Sequence, residues 1–263
     1  MNEHPFRRIL LLCDTACDIR RAVMEAAVLA AQWGAALHGI YLDDENLHRF
    51  AALPFGQYVS LSAVAAEALS AEEMARVSSA ISANMKRVLA DAAKAHGLQW
   101  NFRTIRNVPS AVSVEAEQGD ILVVERAART FSGAWRPDAA WEKSPVSFSG
   151  TVLLNGRGRS RRGLLVFLPE DRTKRDAVLA AGAALAEAHQ EIILVGPEGS
   201  LADAASVFAD YLAAGPRAKQ IDTRTRDADG HAPGSRPALV VVHADDASDW
   251  VGETEADILL VRT

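Results

Sequence analysis

The residues of this sequence that could do chemistry fall at the ends of two apolar runs. Ile9-Leu10-Leu11-Leu12-Cys13 leads into Asp14 and Thr15, and Asp120-Ile121-Leu122-Val123-Val124 leads through Glu125 into Arg126 and Arg129. A carboxylate such as Asp14 accepts hydrogen bonds from ribose hydroxyls or an adenine amino group, and it serves equally as a helix-start acid satisfied by backbone N–H groups. Arg126 and Arg129 can place charge on a phosphate. With Trp135, Arg136, Trp141 and Lys143 they would make an anion-and-ring pocket. The bland alternative is a surface loop with ordinary ion pairs. The candidate ligand-binding set is therefore Asp14, Thr15, Ile40, Arg126, Arg129, Ser149 and Gly150.

Other chemistry finds less support. Cys13 and Cys17 are spaced C-x3-C, not C-x2-C, and no second pair or histidine cluster completes a zinc site. The spacing predicts that Cys13 is buried in a strand. The seven histidines lack ligand spacing. No G-x-S-x-G, Walker or Rossmann signature occurs, so no catalytic residue and no metal are assigned.

The elements that must position these residues are legible from periodicity. Continuous apolar runs mark strands covered on both faces, as in parallel sheets. Thr15 and Asp18 form a capping pair for a helix to about Trp33, with Ile19, Val23, Ala26, Ala27, Ala30 and Trp33 on one side. Gly34 suits the left-handed residue that ends it, and Ala36–Leu42 is the next strand. Residues 43–69 are less regular. Ser70 and Glu73 open a helix whose stripe is Met74, Val77, Ile81, Met85, Val88 and Ala92. A strand over Gln99–Ile105, a short helix over Pro109–Glu117 and strands at Asp120–Val124 and Thr151–Leu154 follow. The second half repeats the order: strand Leu164–Leu168, a helix capped by Thr173 and Asp176 to about His189, strand Glu191–Val195, helix Leu201–Ala213, a weak strand Gln220–Thr223, and strands Ala238–Val242 and Asp257–Val261.

The repetition is quantitative. Ala22-Val23-Met24 matches Ala177-Val178-Leu179, and Leu37–Ile40 matches Ile192–Val195, both at an offset of 155 residues without a gap. This predicts two related units at 1–156 and 162–263. Net charge is −6 and unevenly spread: −2 over residues 1–156, +4 over the arginine-rich run 157–162, and −8 beyond it. So acidic a second half repels nucleic acid and anionic membranes. The glycine-and-arginine run reads as a solvated linker. The apolar run after Arg8 is too short for a signal peptide or a membrane span, which predicts a cytoplasmic protein with reduced thiols.

A strand ending in Asp14, the alanine-rich helix, Gly34-Ala35-Ala36-Leu37-His38, and Gly119-Asp120-Ile121-Leu122-Val123-Val124 together resemble the universal stress protein family. Ala256-Asp257-Ile258-Leu259-Leu260-Val261-Arg262 resembles its last strand. The resemblance implies an α/β fold of two tandem doubly wound parallel five-stranded sheets, order 3-2-1-4-5, and a binding role in stress response. Members that bind ATP carry G-x2-G-x9-G-S/T after strand 4. Here Val124 is followed by Glu125-Arg126-Ala127-Ala128-Arg129, and Val242 by His243-Ala244-Asp245-Asp246. The counterpart of Asp14 in the second repeat is Pro169.

The expected function is therefore a stress-type binding or regulatory protein, more a binder than an enzyme, with ATP or another adenine nucleotide disfavoured. The alternatives are a nucleotide-binding or nucleotide-hydrolysing α/β enzyme using Asp14 and the 125–150 loop, and a scaffold with no ligand. The expected partners are a small molecule in the first half and a second copy of the chain, meeting through helices. The two strand-5 edges are expected to pair with each other inside the chain.

Overall fold

The computed structural model describes residues 6–15, 17–53, 70–107, 117, 119–125, 151–155, 163–186, 191–213, 220–225, 239–246 and 257–261, with short strands at 57–59, 66–68, 112–113 and 146–147. In chain order the elements are β1 (Arg8–Cys13), α1 (Ile19–Trp33), β2 (Ala36–Asp44), α2 (Glu45–Ala51), β3 (Gln57–Val59), β4 (Ala66–Ala68), α3 (Ala71–His96), β5 (Trp100–Asn107), β6 (Val112–Ser113), β7 (Asp120–Glu125), β8 (Val146–Ser147) and β9 (Thr151–Asn155). They continue as β10 (Gly163–Phe167), α4 (Arg172–Leu185), β11 (Glu191–Gly196), α5 (Glu198–Ala213), β12 (Gln220–Thr225), β13 (Leu239–His243) and β14 (Asp257–Val261).

Ten strands form one sheet, in the order β12-β11-β10-β13-β14-β9-β7-β1-β2-β5. Each five-strand array is parallel within itself and runs 3-2-1-4-5 when its main strands are counted in sequence. The join is the expected pairing of the two strand-5 edges inside the chain. The arrays are not two separate sheets but one, because β9 and β14 pair antiparallel, Leu153 opposite Leu259. The pairs β3–β4 and β6–β8 make two small additional sheets.

The register of the first two strands repeats with the sequence. Arg8 lies opposite Ala36 in β1–β2, and Gly163 opposite Glu191 in β10–β11. The strands are buried on both faces, and alternate residues feed two clusters. Ile9, Leu11, Leu37, Tyr41, Leu164 and Val166 lie on the face covered by α1, α3, α4 and α5. Leu10, Leu12, Ile40, Leu42, Val124 and Leu165 belong to the opposite face, whose described members come from strands and from Ala244. At the amino ends of β1 and β7, Arg8 grips Asp120 through Nε and Nη2 at 2.8 and 2.5 Å, a bidentate pair between residues in direct register.

Local starts and stops mostly follow the sequence. Ser70 and Glu73 form a reciprocal capping box, and Gly34 and Gly97 end α1 and α3 in the left-handed conformation. Three details are corrected. Asp18, not Thr15, caps α1, accepting from the Arg21 N–H at 3.2 Å. Asp171, not Thr173, caps α4, whose described residues run to Leu185, while His189 lies outside the described residues. Val112 and Ser113, expected inside a helix, pair with Val146 and Ser147 as strands. In α3 the buried positions are Ser78, Met85, Leu89, Ala92 and Ala93, while Val77 is exposed. The helix reaches the sheet at Ser78, level with the end of β2, so its first two turns project past the strands.

Gly39 in β2 sits where α3 comes closest. A Cβ there would lie 2.8 Å from Leu89 Cδ2 and 3.1 Å from Phe102 Cδ2. Gly39→Ala is therefore expected to cost about 1–3 kcal/mol through overpacking. Urea unfolding tests this, and an unchanged midpoint would show that α3 lifts off the sheet without cost.

Candidate functional site

In a parallel sheet of this order, ligands bind beyond the carboxyl ends of the strands, where successive crossovers diverge. In the first array that place lies between β1 and β7. Asp14 follows β1 directly and is buried. Its backbone carbonyl accepts the Cys17 N–H at 3.4 Å as the chain turns into α1. Since Asp18 caps that helix, the helix-start role falls to Asp18. Thr15 is half-buried in the same turn. Ile40 lies opposite Leu12 in the sheet and is buried among Leu12, Leu42 and Val124. Arg126, Arg129, Ser149 and Gly150 lie outside the described residues. Of the candidate set, the structure therefore places Asp14 and Thr15 together at the carboxyl end of β1.

Among the described residues of this end, one polar cluster was not anticipated from the sequence. β2 runs two residues further than expected and ends in Asp43 and Asp44, both buried. The Asp43 carboxylate accepts from Ser78 Oγ at 2.5 Å, pairs with His48 Nε2 at 2.7 Å and accepts from Arg106 Nε at 2.6 Å. Each partner has a structural reason to be there. Arg106 stands directly opposite Asp43 across the β2–β5 ladder, His48 returns from α2, and Ser78 is the first buried residue of α3. The visible clue was two adjacent acids at the end of an apolar run, with a histidine five residues on.

Burial alone would push the Asp43 carboxyl up. The hydrogen bonds from Ser78, His48 and Arg106, with the charge on His48, outweigh burial and hold it below the ordinary carboxylate range. Burial also pushes the neighbouring Tyr41 phenol up to about 12, against the opposing hydrogen bond with Ser78. The arrangement is not a serine–histidine–aspartate triad. Asp43 stands between Ser78 and His48, whereas nucleophilic catalysis needs histidine in the middle. Asp44 Oδ1 caps α2 by accepting the Asn46 N–H at 2.8 Å, and its Oδ2 is buried without a hydrogen-bond partner. A buried acceptor left open in this way is uncommon.

The equivalent end of the second array closes on itself. Lys174, in the first turn of α4, donates from Nζ to Asp245 Oδ2 at 2.5 Å across the gap between β10 and β13. That bond with Asp245 raises the lysine pKa. The Asp245 N–H donates to His243 Nδ1 at 3.3 Å. Pro169, buried, occupies the position that Asp14 holds in the first array. Among the described residues no group of three histidine, cysteine or acidic side chains could hold a metal ion. No helix among them is long and apolar enough to cross a membrane.

Comparison with known proteins agrees with this architecture. No family model matches the sequence, and no curated protein matches it. Solved structures do. A functionally unknown protein from Pseudomonas aeruginosa PAO1 aligns over 99% of this chain and 94% of its own, with a TM-score of 0.58 at 12% identity. A provisionally assigned universal stress protein from Pseudomonas aeruginosa UCBPP-PA14 aligns over 100% and 95%, with a TM-score of 0.57 at 12% identity. A universal stress protein from Archaeoglobus fulgidus DSM 4304 aligns over 100% and 99%, with a TM-score of 0.58 at 9% identity. The chain has the universal stress protein fold.

Proposed function

We propose that this protein is a stress-response binding or regulatory protein of the universal stress type, built from two tandem units, and that it is not an ordinary ATP binder. The observation that carries this reading is the set of buried acids at the carboxyl ends of β1 and β2: Asp14, Asp43 and Asp44. Acids accept hydrogen bonds and repel phosphate, so the end suits a ligand bearing N–H or O–H donors better than a triphosphate. Asp44 Oδ2 supplies an acceptor not used within the protein. The second array, with its gap spanned by Lys174 and Asp245, is assigned a structural role.

Weak ATP binding is the expected result of the sequence after β7. Without the two glycines, backbone donors to phosphate are lost, each worth roughly 1.5–3 kcal/mol to a charged acceptor. Three such losses lower affinity by at least about a thousandfold, since about 1.4 kcal/mol is tenfold. Isothermal titration checks this, and a low-micromolar ATP affinity would sink it. In that event Arg126→Ala and Arg129→Ala test whether charge replaces the glycine loop. Mass spectrometry of small molecules released from natively purified protein identifies the ligand directly.

A further inference from the structure

The two cysteines are brought together by the turn between β1 and α1. Cys13 is the last residue of β1 and is buried; Cys17, half-buried, stands just before the α1 cap. The Cys17 thiol donates to Cys13 Sγ, with the sulfurs 3.0 Å apart. Both side chains lie on the sheet face that α1 covers. A disulfide bond is about 2.05 Å long, so the sulfurs need approach by only about 1 Å more. The turn is already drawn tight by the Cys17 N–H to Asp14 O bond at 3.4 Å.

We propose that Cys13 and Cys17 form a reversible redox dithiol that responds to hydrogen peroxide. The two sulfurs divide the work by exposure. Cys17, the accessible thiol, attacks the peroxide as its thiolate. The O–O bond breaks, one oxygen leaves as water, and Cys17 becomes a sulfenic acid. Cys13 then attacks the Cys17 sulfur, the S–O bond breaks, and the second oxygen leaves as water with the remaining thiol proton. In sum two thiols are oxidised to one disulfide and one peroxide is reduced to two waters. A dithiol reductant reverses the change by exchange. Oxidation cross-links the two ends of the turn that carries Asp14 and Thr15. This inference does not depend on the identity of any ligand.

The test uses the full-length protein and hydrogen peroxide at near-stoichiometric amounts, read by thiol titration and by mass spectrometry of peptides made without reductant. The expected product is a chain lighter by two hydrogens, with Cys13 joined to Cys17, no free thiol left, and full recovery with dithiothreitol. Cys17→Ser, at the accessible position, is expected to slow loss of the Cys13 thiol at least tenfold and to give no cross-link. Three results would each overturn the proposal: no reaction under these conditions, a disulfide between two chains, or sulfinic and sulfonic acid on Cys17 while Cys13 stays reduced.

Discussion

Truncation before Asp257 is expected to leave the chain unable to hold its native fold. The segment removed, 257–263, contains β14, in which Ile258, Leu259 and Leu260 are fully buried. Each such side chain contributes about 1.5–3 kcal/mol. Their loss also strips the partner from β9 and from β13, leaving two unpaired edges in the middle of the sheet. Together these terms are comparable with the 5–15 kcal/mol that holds a typical domain. A milder version keeps the chain length: Leu259→Ala should cost about 2–5 kcal/mol, because it opens a cavity on the buried, helix-covered face of the sheet. Circular dichroism melting and light scattering together decide the matter. Were the truncated protein to remain a stable, fully folded monomer with an unchanged melting temperature, the β9–β14 join would be incidental to folding.

The second large effect is expected at Asp43. Asp43→Ala removes the common acceptor of Ser78, His48 and Arg106. Arg106 is half exposed and its share is screened by water. The two contacts made inside the protein remain, and at about 1.5 kcal/mol each they set the loss near 3 kcal/mol. Asp43→Asn keeps the shape and separates the charge from the packing. The carboxyl is held below its ordinary value in the fold, so its contribution is present above the unfolded value of about 3.9 and is lost as pH falls through the lower folded value. Urea midpoints measured from pH 3 to pH 5 should therefore show a gap between wild type and Asp43→Asn that narrows as pH falls below about pH 4. A gap independent of pH would mean that the charge of Asp43 contributes nothing.

Much of the fold was legible because it rests on alternation and offset. The run Ile9–Cys13 and its partner Leu164–Leu168 announced buried parallel strands, and the 155-residue offset reappears as an identical register in β1–β2 and β10–β11. The pairing of the two strand-5 edges followed from their apolar character and from the order of the sheet. Caps were less legible, because several acids and hydroxyls compete within one turn: Asp18 prevails over Thr15, and Asp171 over Thr173. The site was read in part. Asp14 could be placed from its position after a strand. Asp43 could not, since its meaning depends on Arg106 and Ser78, sixty-three and thirty-five residues away, brought to it only by tertiary packing. The cysteines show the same limit. C-x3-C carries no motif, and only the turn itself sets the sulfurs side by side.

The antiparallel join also fixes the polarity of the whole molecule. Within each array every strand runs the same way, and across β9–β14 the direction reverses. The carboxyl ends of β1 and β10 therefore open toward opposite rims of one continuous sheet. One rim carries Asp14, Asp43 and Asp44; the other carries the Lys174–Asp245 bridge. The two rims are separated by the full length of the strands, so the chain presents two poles of different chemistry.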